Sequence, residues 1–114
     1  MSKLEQINET LLHALAEIIN REIEIPNVFI TATFVKCSAD LNNATVGISV
    51  LPDHLTGTAL EKLRRTSGTI AQNLRKKVKI RRVPKLRFVF DSTERKAAIV
   101  EKEIALDEEA LKHL

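Results

Sequence analysis

The chain has 114 residues, of which 44% are hydrophobic and 29% charged, and carries a formal net charge of +3. That length fits one domain, and the composition excludes an intrinsically disordered chain, a fibrous repeat and a pair of independent cores. The longest apolar run is Ala97 to Val100, far below the roughly 20 residues of a membrane helix, so neither a membrane span nor a secretory signal is expected.

From Lys3 to Ile23 the apolar residues Leu4, Ile7, Leu11, Ala14, Leu15, Ile18 and Ile19 recur at steps of three and four, which predicts an amphipathic helix. Pro26 and Asn27 end it, because proline has no amide donor and restricts the residue before it. A strand follows from Val28 to Cys37. Period-two alternation puts Val28, Ile30, Ala32 and Phe34 on its buried side and Thr31 and Thr33 on the other. The turn-forming run Ala39-Asp40-Leu41-Asn42-Asn43 leads to a second strand, in which Val46, Ile48 and Val50 alternate with Thr45, Gly47 and Ser49. The two strands read as a β-hairpin.

After the loop marked by Pro52, Asp53 and Gly57, Thr58 and Glu61 have capping-box spacing, which predicts a helix opening at Thr58. Leu60, Leu63, Ile70, Leu74 and Val78 keep helical spacing, but Thr66-Ser67-Gly68 interrupts them with β-branching, hydroxyl competition and glycine entropy, so a kink is expected there. Pro84 closes a basic connector, and Leu86, Phe88 and Phe90 alternate with Lys85, Arg87 and Val89 as a third strand. Asp91-Ser92 then offers N-cap chemistry for a solvated last helix over residues 92–114, with Ala97, Val100, Ile104 and Leu111 at helical steps. The result is an α+β fold in one domain over residues 1–114: a three-stranded sheet covered by helices on one face, in the order helix, strand, strand, helix, kink, helix, strand, helix.

Charge is the most informative feature. Between Lys62 and Phe90 there are eleven Lys and Arg residues and no Asp or Glu, so this stretch carries +11 and the rest of the chain −8. Such a polarised molecule attracts a polyanion to one side, and nucleic acid is the leading ligand class. The competing view is a solvated basic face with no partner. Cys37 has no second cysteine for an intramolecular disulfide, and the expected compartment is the cytoplasm. His13, His54 and His113 lack ligand-like spacing, Ser38 and Ser49 have no evident base, and no phosphate-binding glycine loop occurs, so no metal, cofactor or catalytic residue is expected. The four phenylalanines, Phe29, Phe34, Phe88 and Phe90, read as core, which leaves no aromatic platform for splayed bases.

The element order resembles a type II KH domain, and the sequence is similar to the bacterial ribosome-binding factor A family from the first helix to Asp91. The similarity rests on Thr33-Phe34-Val35-Lys36-Cys37-Ser38-Ala39-Asp40-Leu41 leading to Ala44-Thr45-Val46, and on Ser49-Val50-Leu51. It rests further on Leu63-Arg64-Arg65-Thr66-Ser67-Gly68 and on Arg81-Arg82-Val83-Pro84-Lys85-Leu86-Arg87-Phe88-Val89-Phe90-Asp91. The resemblance implies a non-enzymatic factor that binds the small ribosomal subunit or its precursor through small-subunit rRNA and assists late rRNA maturation. It also implies a link to cold adaptation. In that family an interrupted helix with an Ala-x-Gly element replaces the GxxG loop of ordinary KH domains. Here the element maps to Thr66-Ser67-Gly68, with threonine in place of alanine.

Combined with the charge pattern, this nominates Arg64, Arg65, Thr66, Ser67, Gly68, Arg75, Lys76, Lys77, Lys79, Arg81, Arg82 and Lys85 as the RNA-binding surface. A monomer is expected, with neither DNA nor membrane as partner. The alternatives are a generic single-stranded RNA module and a protein-interaction module whose acidic outer helix docks a basic ribosomal protein.

Overall fold

A computed structural model describes residues 1–91; the expected last helix over 92–114 lies outside the described residues. Helix α1 spans Lys3–Glu22, and its N-terminus is capped by Ser2, whose hydroxyl accepts from the Glu5 amide at 3.1 Å. Leu11, Ala14, Leu15, Ile18 and Ile19 are buried along one stripe, as their spacing requires. Strands β1 (Phe29–Cys37) and β2 (Asn43–Leu51) pair antiparallel, and β3 (Lys85–Phe90) adds to β2 in parallel, giving the sheet order β1-β2-β3. Helices α2 (Thr56–Arg65) and α3 (Ser67–Val78) fill the crossover between β2 and β3. This is the KH-like order that the resemblance implies.

The helices cover one face of the sheet. Ala44, Val46, Ile48 and Val50 of β2 and Phe88 of β3 meet Leu11, Leu15, Ile18, Ala59, Leu63, Ile70 and Leu74 in a single core. The α1 layer is pinned to β1 by a side chain as well as by packing: Asn8 Oδ1 accepts from the Cys37 amide at 2.9 Å. Burial holds the Cys37 thiol above its ordinary pKa, so it stays an unionised packing group.

Three expectations need correction. First, β1 does not keep one phase. A bulge between Ala32 and Phe34 shifts the register, so Ile30 is buried before it and Val35 and Cys37 after it, while Phe34 turns to the face away from the described helices, opposite Gly47. Second, the four phenylalanines are not all core. Phe88 is 1% exposed and Phe90 is half-buried inward, but Phe29 is 73% exposed. Third, α2 opens at Thr56, not Thr58, and without a side-chain cap: a 3₁₀ turn over Asp53–Leu55 leads into it, with the Thr56 hydroxyl donating to the Asp53 carbonyl at 2.6 Å. That turn supplies the entry the Thr58 capping box was expected to provide.

Candidate nucleic-acid interface

The interruption falls at Thr66, which joins α2 to α3 with φ −100° and ψ 8°. These angles lie in the sparsely populated bridge region between strand and helix. Thr66 bends the path without abandoning the ladder. Its amide donates to the Lys62 carbonyl at 3.0 Å, and its own carbonyl accepts from the Ile70 amide at 3.0 Å. Its hydroxyl donates to the same Lys62 carbonyl at 2.8 Å, the kind of back-bonding that bends helices. Threonine therefore serves the break through a bond that alanine cannot make. Gly68, one residue into α3, has no positive φ, and a Cβ built on it meets nothing within 4 Å. Neither the kink nor the packing requires glycine there; the position is a smooth, exposed stretch of backbone beside the break.

The nominated cations fall into three groups. In the first, Arg64 at the end of α2 and Ser67 at the start of α3 face Lys85 and Arg87 of β3 across a groove of about 470 Å³. Asn43, Ala44 and Thr45 at the start of β2 form part of its wall. Arg65 and Gly68 are exposed next to it in the chain. In the second, Arg81 and Arg82 line a separate hollow of about 360 Å³ with Ile7, Leu11 and the turn residues Asp40, Leu41 and Asn42. Asp40 there is held ionised below its ordinary pKa by hydrogen bonds from the Ser38 hydroxyl and the Asn42 amide. The third group, Arg75, Lys76, Lys77 and Lys79, gathers at the end of α3, where cations complement the helix dipole. Lys77 forms an ion pair with Glu17 of α1, which lowers the Glu17 pKa and offsets one positive charge. Lys79 closes the helix in the left-handed conformation at φ 50°.

Of the twelve nominated residues, those at the groove combine exposed charge with accessible backbone. Arg87 completes it; it is one of the eleven cations and lies in the family-bearing run, but it is not among the twelve nominated residues. It reads as an ordinary exposed strand position, and its place became visible only when β3 paired in parallel with β2 and brought it beside Thr45. Among the described residues no three His, Cys, Asp or Glu side chains gather as a metal site, and no helix is long and apolar enough to cross a membrane.

The family model for ribosome-binding factor A matches residues 3–104. The chain belongs to the ribosome-binding factor A family. A ribosome-binding factor A from Chlamydia pneumoniae is 36% identical over 93 residues, covering 78% of each chain. The crystal structure of ribosome-binding factor A from Thermus thermophilus aligns with a TM-score of 0.69 at 27% identity, over 76% of this chain and 93% of that one. A Thermus thermophilus ribosome binding factor A homology model, fitted into the cryo-EM map of a 30S complex, aligns with a TM-score of 0.69 at 30% identity, over 82% of this chain and 97% of that one. The α+β architecture described above is thus that of the ribosome-binding factor A family.

Proposed function

We propose that this protein binds the small ribosomal subunit or its precursor through small-subunit rRNA and assists late rRNA maturation, as a non-enzymatic single-domain factor of the cytoplasm. The observation that carries this function is the groove in which Arg64 and Ser67 of the broken helix meet Lys85 and Arg87 of β3. It belongs to a fold whose Thermus thermophilus relative has been fitted into the map of a 30S complex. Arginine and lysine there suit phosphate oxygens, arginine by its two-pronged donor geometry. The exposed backbone at Gly68 gives a nucleic-acid strand room for close approach.

Co-sedimentation with small subunits, large subunits and free RNA at two salt concentrations tests the proposal. Wild type should pellet selectively with small subunits, and Arg64→Glu with Lys85→Glu should abolish this while leaving the fold intact. Pelleting equally with every RNA, lost as salt rises, would reduce the groove to a non-specific electrostatic surface.

A further inference from the structure

The sheet face turned away from the helices carries four ordered cross-strand rows. Register places Lys36, Thr45 and Arg87 side by side in one row, and Phe34, Gly47 and Val89 in the next. Thr31 stands opposite Ser49 in the third, and Phe29 opposite Leu51 in the fourth. Neighbouring rows are about 7 Å apart at the ordinary strand rise. Phe34 lies over Gly47, its Cζ 2.7 Å from where a Cβ would stand, so the glycine lets the ring settle against the β2 backbone. Phe29 and Leu51 are 73% and 63% exposed. No carboxylate stands in any of the four rows. The nearest in sequence, Asp53 and Asp91, line a hollow together with Ser49 and Leu51, at the end of the face away from Lys36 and Arg87.

We propose that this face is a second binding site, for a short run of unpaired RNA, with phosphates at Lys36 and Arg87 and bases stacked on Phe34 and Phe29. Stacking on aromatic side chains of an open sheet is an established way of holding splayed bases, and it tolerates any base because each has a π face. The cation row shares Arg87 and Thr45 with the groove at the broken helix. A strand leaving that groove would therefore meet Arg87 first and the aromatic rows after it. The hydroxyls of Thr31 and Ser49 lie between the two aromatics, where base edges need donors and acceptors. This goes beyond small-subunit binding through the groove, because it concerns unpaired RNA on a different face and is testable with free oligonucleotides.

The chain contains no Trp and no Tyr, so Phe29→Trp installs a single fluorophore at the exposed end of the platform. Titration of that variant with oligouridine should give saturable quenching, and a duplex RNA of equal length should give little. Adding Phe34→Leu should weaken oligouridine binding about ten-fold, as should Lys36→Glu with Arg87→Glu. As Phe29 is exposed, Phe29→Ala leaves the core intact, and its binding to a labelled oligouridine by anisotropy should fall by a similar factor. Absence of quenching, equal quenching by duplex, or unchanged binding by Phe29→Ala would overturn the site. So would a protein-concentration-dependent blue shift without RNA, which would assign the face to a second copy of the chain. Arg64→Glu with Lys85→Glu separates the two sites: retained quenching with lost small-subunit pelleting supports both.

Discussion

The ring of Phe34 occupies the space that a side chain at position 47 would need, so Phe34 and Gly47 form one packing unit across β1 and β2. A methyl group at position 47 must displace the ring. Gly47→Ala is expected to destabilise the domain by about 1–3 kcal/mol, the usual range for overpacking. Combined with Phe34→Ala the two changes should be strongly non-additive, because removing the ring makes room for the methyl. Urea denaturation of the four proteins in the cycle checks this; additive effects would mean that the two residues do not share the space.

Much of this fold is legible in the residues themselves. The stripe from Leu11 to Ile19 permits one helical phase only, and Thr66-Ser67-Gly68 interrupts the next helix where three weak helix formers coincide. The bulge in β1 was not legible for a physical reason. Phe34 and Val35 are both apolar, so the alternation penalises neither phase, and the choice falls to β2, where Gly47 leaves the space that the Phe34 ring takes. The groove was legible in part. Charge and motif nominated Arg64, Ser67 and Lys85, but their meeting with Arg87 depends on a parallel pairing between strands more than 30 residues apart in sequence. Lys77 shows the opposite limit: counted by sequence it is a cation open to RNA, yet docking of α1 against α3 gives it Glu17.

Gly68 separates structural from binding roles. With helical backbone and open space around it, Gly68→Ala should raise stability by roughly 0.5–1 kcal/mol through helix propensity. If a nucleic-acid backbone approaches this point, the same variant should bind small subunits less tightly than wild type. Thermal denaturation and co-sedimentation of one protein thus read the two roles independently. Higher stability with unchanged binding would remove Gly68 from the interface.

Asp40 makes the β1–β2 turn sensitive to acid. Its carboxylate accepts from the Ser38 hydroxyl at 2.6 Å and from the Asn42 amide at 3.0 Å, and these bonds hold its pKa below the ordinary 3.8. A carboxylate depressed in the folded state contributes stability that is fully present above its unfolded pKa and is lost as pH falls through the folded one. The Asn42 amide resonance should therefore stay constant from neutral pH to about pH 5 and shift at lower pH, with a midpoint below 3.8. Asp40→Asn should abolish that titration. A midpoint at or above the ordinary value would show that the turn gives the carboxylate no preference for its charged form.

Thr33, the residue skipped by the register at the β1 bulge, keeps its hydroxyl oxygen buried without a hydrogen-bond partner among the described residues. A hydroxyl in that position bears a desolvation cost that no bond offsets. Valine has nearly the same shape and strand preference but nothing to desolvate. Thr33→Val is therefore expected to stabilise the domain by about 1 kcal/mol, opposite in sign to the usual effect of removing a hydroxyl. Thr33→Ser provides the control: it retains the unpaired hydroxyl and loses a methyl, so it should be less stable than wild type. If Thr33→Val instead lowers the urea midpoint, the hydroxyl has a partner in solution, and the bulge is held by that bond as well as by Phe34 on Gly47.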